Sequence, residues 1–206
     1  MARSAARPEE LTDTMMRVAA VLRDAEVPYL LAGSFAAWAR GAPPRQHDLD
    51  FAVRREDIDR AVEVLERAGF EEHPTPEEWL RKVRDGDVVV DLIFDPAGLS
   101  ITDEVIERGA DIEVGGMTFC VMAIEDVLTT KLYALKEHNL DYEPVLEMAR
   151  TLREQIDWDE LRRRCEPYPY AKPFFTLVEE LGVIEREDGE LVSGAEIREA
   201  QRTHHG

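Results

Sequence analysis

Six residues in this sequence are of types that could handle a phosphate and a metal ion together. Gly33 and Ser34, in "LAGSFAAW", stand between a short apolar run and a helical pattern. At such a turn, backbone N–H groups and the positive end of the helix dipole favour a phosphate oxygen. Gly33 would permit close approach and Ser34 could add a hydrogen bond; the competing reading is an ordinary turn with a Ser N-cap. Asp48 and Asp50, in "DLDFAV", are two residues apart on a strand, so their Cβ atoms share a face roughly 6 to 7 Å apart. Two carboxylates that close repel each other unless a cation lies between them, and magnesium, a hard ion that takes one or two carboxylates plus substrate phosphates, suits the place. The alternative is an edge strand facing water. Asp91 interrupts the apolar run "VVVDLIF", where an unpaired buried carboxylate would cost several kcal/mol. It is either a strand-end residue facing water or a third carboxylate. If its strand lies beside that of Asp48 and Asp50, two metal ions about 3.5 to 4 Å apart can be held.

Lys131 is the sixth residue. With Ile124 at zero and an advance of about 100° per residue, Lys131 falls near 340°, between Val127 near 300° and Leu128 near 40°. A lysine in an apolar stripe must reach the rim or meet an anion, and a triphosphate is such an anion. His138 falls on the same face and reads as packed or capping, and Asp141 reads as a helix cap in preference to a partner for Lys131.

The elements that must position these residues follow from periodicity. Apolar residues at Leu11, Met15, Val18, Ala19 and Leu22 predict a helix from about 8 to 25. Residues 29 to 32 read as a short buried strand, and "SFAAWARG" as a helix closed by Gly41 and Pro43-Pro44. Residues 48 to 53 alternate, with Leu49, Phe51 and Val53 on one face. A helix ends at Gly69, and two strands flank Asp85-Gly86, a favoured hairpin dipeptide. A short helix near 103 to 108 and a hairpin about Gly115-Gly116 come next. From Ile124 the pattern is helical, through "AIEDVLTTKLYALKEH", "YEPVLEMARTLREQ", "WDELRRRC" and "PFFTLVEEL". The expectation is a mixed α/β unit over 1–121, a helical subdomain over 122–185 and a polar tail over 186–206.

Composition bounds the partners. The formal net charge is −19, which repels a nucleic-acid backbone at long range; it reads either as a solvated acidic surface that maintains solubility or as an acidic groove for metal ions or a cationic substrate. A local basic patch at Arg162, Arg163 and Arg164 could counter it, although three such arginines are commonly a solvated helix face. The two cysteines, Cys120 and Cys165, form no paired-ligand motif, and the five histidines show no zinc spacing. No apolar run approaches the ~18 residues of a membrane span, and the first residues lack a signal-peptide core, so a cytoplasmic protein is expected.

Gly-Ser, thirteen residues, Asp-Leu-Asp and a later Asp inside an apolar strand together resemble the signature of the polymerase-beta-like nucleotidyltransferase superfamily. The motifs cover roughly residues 28 to 95. The resemblance implies an α/β (α+β) nucleotidyltransferase fold, a mixed sheet flanked by helices and followed by C-terminal helices. It implies that Gly33 and Ser34 grip the nucleotide phosphates and that Asp48 and Asp50 hold Mg2+. Asp91 would share the catalytic metal and help activate the attacking hydroxyl. The implied reaction moves a nucleoside monophosphate from a nucleoside triphosphate to a hydroxyl and releases pyrophosphate, with two ions when the nucleotide is bound. Helices carrying an inward Lys131 look most like abortive-infection nucleotidyltransferase toxins of toxin-antitoxin systems and their relatives. Many members carry Arg four residues and Thr two residues before the first Asp; here Pro44 and Gln46 stand there, with Arg45 shifted by one. The acceptor implied is tRNA, a protein, or a small hydroxylated molecule such as an aminoglycoside, with an antitoxin as a further partner. Two other classes remain: a non-catalytic nucleotide-binding regulator or antitoxin on the same fold, and a metal-dependent phosphatase or nuclease. The last usually adds histidines, and His47 would point away from Asp48 and Asp50 on an alternating strand.

Overall fold

A computed structural model describes residues 7–44, 49–97 and 99–185. In chain order the elements are α1 (Pro8–Asp24), β1 (Tyr29–Leu31), α2 (Gly33–Ala39), β2 (Leu49–Val53), α3 (Ile58–Arg67), β3 (Glu71–His73), β4 (Leu80–Asp85) and β5 (Val88–Ile93). They continue with α4 (Asp103–Glu107), β6 (Ala110–Val114), β7 (Met117–Val121), α5 (Ile124–Tyr133), α6 (Glu143–Leu152), α7 (Trp158–Cys165) and α8 (Ala171–Glu180).

The seven strands form one mixed sheet in the order β3-β4-β5-β2-β1-β7-β6. β5 runs parallel to β2, β2 antiparallel to β1, and β1 parallel to β7. Alternation decides which side is covered. On β5, Val88, Val90 and Leu92 are buried while Val89, Asp91 and Ile93 are half-buried. On β4, Arg81 pairs with Asp59 of α3, and Asp85 accepts from Thr14 of α1 at 3.0 Å. The odd-numbered residues of β4 therefore face α1 and α3, and Lys82 and Arg84 face the other side with Asp91.

One hydrophobic core runs through both the sheet and the C-terminal helices, from Leu11 and Phe51 to Phe174 and Val178. β3 escapes a periodicity reading because Glu71, Glu72 and His73 are all exposed, as suits a charged edge strand. α5 is shorter than the expected helix. It stops at Tyr133, and Lys136 and Asn139 then close a tight turn, with Asn139 N donating to Lys136 O at 2.7 Å. His138 consequently lies exposed in this turn, neither packed nor on the face of Lys131. Asp141 acts at the start of α6, where its carboxylate accepts from Glu143 N at 3.2 Å. None of the helices among the described residues is long and apolar enough to cross a membrane.

Candidate active site

The site is built where β1 hands over to α2. Ala32 N donates to Asp50 O at 2.9 Å, fastening the end of β1 to β2. Gly33 then takes φ +57, and a Cβ placed on it would fall 1.9 Å from Asp50 Oδ2. The Asp50 carboxylate thus lies against the Gly-Ser turn, which only glycine can form at this distance and in this conformation. Ser34 is not the N-cap: that position is Ala32, which has no capping side chain, and Ser34 is the second residue of the helix. Gly33→Ala should lower the melting temperature, because the left-handed conformation alone costs roughly 1–2 kcal/mol and the carboxylate must also move. The same variant should lose any stabilisation by a nucleoside triphosphate, measured by thermal shift.

Asp50 and Asp91 are register partners on adjacent parallel strands, which are about 4.8 Å apart and present the two side chains on one face. Lys82 is the register partner of Asp91 on the other side. Its Nζ donates to Asp91 Oδ1 and Oδ2, each at 2.7 Å. The row Lys82, Asp91, Asp50 and Gly33 places a cation, two carboxylates and a backbone turn side by side. Asp48, together with Arg45 and His47, lies outside the described residues. Among the described residues no three His, Cys, Asp or Glu side chains gather into a metal site. Asp50 and Asp91 supply hard oxygen donors of the kind Mg2+ takes, and Lys82 shows that Asp91 accepts a cation in this position.

Lys131 lies half-buried in the last turn of α5, a helix that packs against α2. It interacts there with other groups of the fold. Arg162, Arg163 and Arg164 do not form an open basic patch. Arg162 Nη2 lies 2.6 Å from Glu179, Arg163 Nη2 lies 2.5 Å from Glu160, and Arg164 pairs with both Glu160 and Asp126.

Asp126, in the first turn of α5, was not legible as important, because an acidic residue there reads as a partner for the helix dipole. Its side chain is 0% exposed. Arg108 grips it with two hydrogen bonds of 3.0 and 2.9 Å, and Arg164 Nη1 adds a third at 2.6 Å. Lys82 was also missed, although its position follows from the hairpin: if Asp85 faces Val88, Lys82 must face Asp91.

A mixed seven-stranded sheet with helices at its C-terminal end is the α/β nucleotidyltransferase fold. The chain belongs to the family described as uncharacterised nucleotidyltransferases, whose model matches residues 3–179. Among solved structures it is similar to the antibiotic-resistance factor ANT(2'')-Ia in solution, with TM-score 0.59 and 13% identity over 81% of this chain and 94% of that one. A crystal structure of ANT(2'')-Ia with adenylyl-2''-tobramycin matches with the same score and identity, covering 81% and 99%. A candidate nucleotidyltransferase of Thermotoga maritima matches with TM-score 0.51 and 17% identity, over 72% of this chain and 94% of that one. At these identities the likeness shows the fold. No curated protein matches the sequence.

Proposed function

We propose that this chain is a magnesium-dependent nucleotidyltransferase that moves a nucleoside monophosphate from a nucleoside triphosphate to a hydroxyl. The observation that supports it most is the register of Asp50 with Asp91, with Asp50 against the turn of Gly33. In this reading Asp48, Asp50 and Asp91 hold the metal, and Gly33, Ser34 and Lys131 bind the triphosphate. Bound Mg2+ supplies Lewis-acid stabilisation of the charge that develops on the phosphate oxygens. Asp91 orients the acceptor hydroxyl and draws on its proton. The hydroxyl oxygen bonds to the α-phosphorus, the bond from that phosphorus to the bridging oxygen breaks, and pyrophosphate leaves. Residues 1–121 carry the metal ligands and the Gly-Ser turn, and the helices of 122–185 add Lys131 and shape the acceptor side.

The acceptor best suited to this surface is a small hydroxylated cation of the aminoglycoside kind. A net charge of −19 attracts it, the three arginines that could have drawn tRNA are spent on Glu160, Asp126 and Glu179, and the same fold holds an adenylylated aminoglycoside in ANT(2'')-Ia. A tRNA or protein acceptor, as in a toxin restrained by an antitoxin, uses the same chemistry and is the competing arm of the test.

The test incubates the protein and Mg2+ with each labelled nucleoside triphosphate and a pool of aminoglycosides, tRNA and protein. Label on the aminoglycoside is expected, and label on tRNA instead overturns the acceptor assignment. A thermal-shift series with and without Mg2+ separates binding from transfer, since ligand at about 100 times its Kd stabilises by about 2.7 kcal/mol. Stabilisation without any labelled acceptor favours the non-catalytic regulator, and neither signal with any triphosphate sinks the proposal.

A further inference from the structure

Lys82 stands outside every role assigned above, yet it is in direct contact with the candidate metal ligand Asp91. Its Nζ is equidistant, at 2.7 Å, from both oxygens of Asp91. An ammonium centred on a carboxylate in this way takes the bidentate position that a divalent cation would take. The pair is part-buried, with Lys82 23% and Asp91 14% exposed, so bulk water screens it only partly. Lys82 also lies at the far side of Asp91 from Asp50 in the three-strand row. It can therefore turn away from Asp91 without crossing the Gly33 turn.

We infer that Lys82 is the resident counter-ion of the site: it holds Asp91 when no metal is bound, and a divalent cation must displace it to use Asp91. The inference rests on the proposed function in taking Asp50 and Asp91 as metal ligands. Lys82 on this view is a positioning residue. It keeps two neighbouring carboxylates from repelling each other in the free protein, and it weakens metal binding in exchange. The metal then binds firmly only when nucleotide phosphates add their own oxygens, which ties metal occupancy to the presence of substrate.

Mn2+ takes the same oxygen ligands and its free ion is counted by electron paramagnetic resonance, so it serves as the probe. In the full chain without nucleotide, Lys82→Met should bind Mn2+ about tenfold more tightly than wild type, because a unit charge within a few ångströms no longer repels the ion. Lys82→Arg keeps the charge and should stay within about twofold of wild type. Melting temperatures give a second reading: Lys82→Met should be less stable than wild type in EDTA and gain more from Mn2+ than wild type does. A purely structural lysine would lower both melting temperatures equally and leave the Mn2+ affinity unmoved, and that result overturns the inference. Asp91→Asn separates this failure from that of the site itself. If wild type binds Mn2+ and Asp91→Asn weakens it while Lys82→Met changes nothing, Lys82 is not the counter-ion. If wild type binds Mn2+ neither alone nor with ATP, the metal-dependent reading fails as well.

Discussion

Asp91→Asn should leave the chain folded and lower nucleotide transfer by about two to four orders of magnitude. The substitution keeps the shape of the side chain and removes its charge. Asparagine can still meet Lys82 through its carbonyl oxygen, and Lys82 is exposed enough to turn toward water. The strands on either side are held by backbone ladders running from Leu80 to Asp85 and from Leu49 to Ala52, so the melting temperature should change by less than about 4 °C. The chemistry is affected far more. A carboxylate that orients a hydroxyl and holds a metal contributes several kcal/mol to the transition state, and each 1.36 kcal/mol is tenfold in rate. The loss should fall on kcat more than on KM for the triphosphate, because the interaction is made with the reacting groups. Asp48→Asn with Asp50→Asn should act in the same direction and also lose Mg2+-dependent stabilisation by triphosphate. If Asp91→Asn retains transfer within about threefold of wild type, Asp91 has no such role.

The parts of this site that could be read from the sequence are those fixed by local chain geometry. Alternation along "DLDFAV" put Leu49, Phe51 and Val53 on the buried face, and all three are. A glycine between strand and helix marked a turn, and Gly33 does adopt the left-handed conformation. The approach of Asp50 to that turn was beyond reach, because it depends on how β2 lies against β1. The alignment of Asp50 with Asp91 had the same character, since parallel register between strands far apart in sequence is set by packing of the helices between them. Lys82 was accessible in principle. The turn at Gly86, with φ +59, fixes the β4–β5 register, and counting outward from it pairs Lys82 with Asp91. The helical wheel says little about α5 because that helix is buried nearly all round, with Asp126, Val127, Leu128 and Thr129 all inside. An amphipathic stripe carries information only when one side of the helix faces water. Asp126 therefore looked like a dipole partner, whereas its partners are Arg108 at the end of α4 and Arg164 in α7.

The largest loss of stability should come from removing Arg108 and Arg164 together. Arg108→Met with Arg164→Met leaves the Asp126 carboxylate 0% exposed with neither of its cations, and a buried charge stripped of its partner costs about 3–5 kcal/mol. For a chain of this size that lowers the melting temperature by roughly 10 °C. Each single arginine variant should cost much less, because the remaining guanidinium still neutralises the carboxylate: Arg108 through two hydrogen bonds, or Arg164 at 2.6 Å. Asp126→Leu should cost less than the double arginine variant. Arg108 is 35% and Arg164 19% exposed, so both can turn toward water, and Arg164 keeps Glu160. Adding Asp126→Leu to the double arginine variant should restore part of the lost stability, since an apolar triad needs no charge compensation. Chemical denaturation of the five variants measures this directly. Additive arginine effects, or no rescue by Asp126→Leu, would mean that the three side chains do not act as one buried ion network. The network joins α5 and α7 to the end of α4 beside the sheet, so its loss should also loosen the helices that the proposed function assigns to the acceptor. In the single arginine variants, which remain folded, KM for the acceptor should then rise.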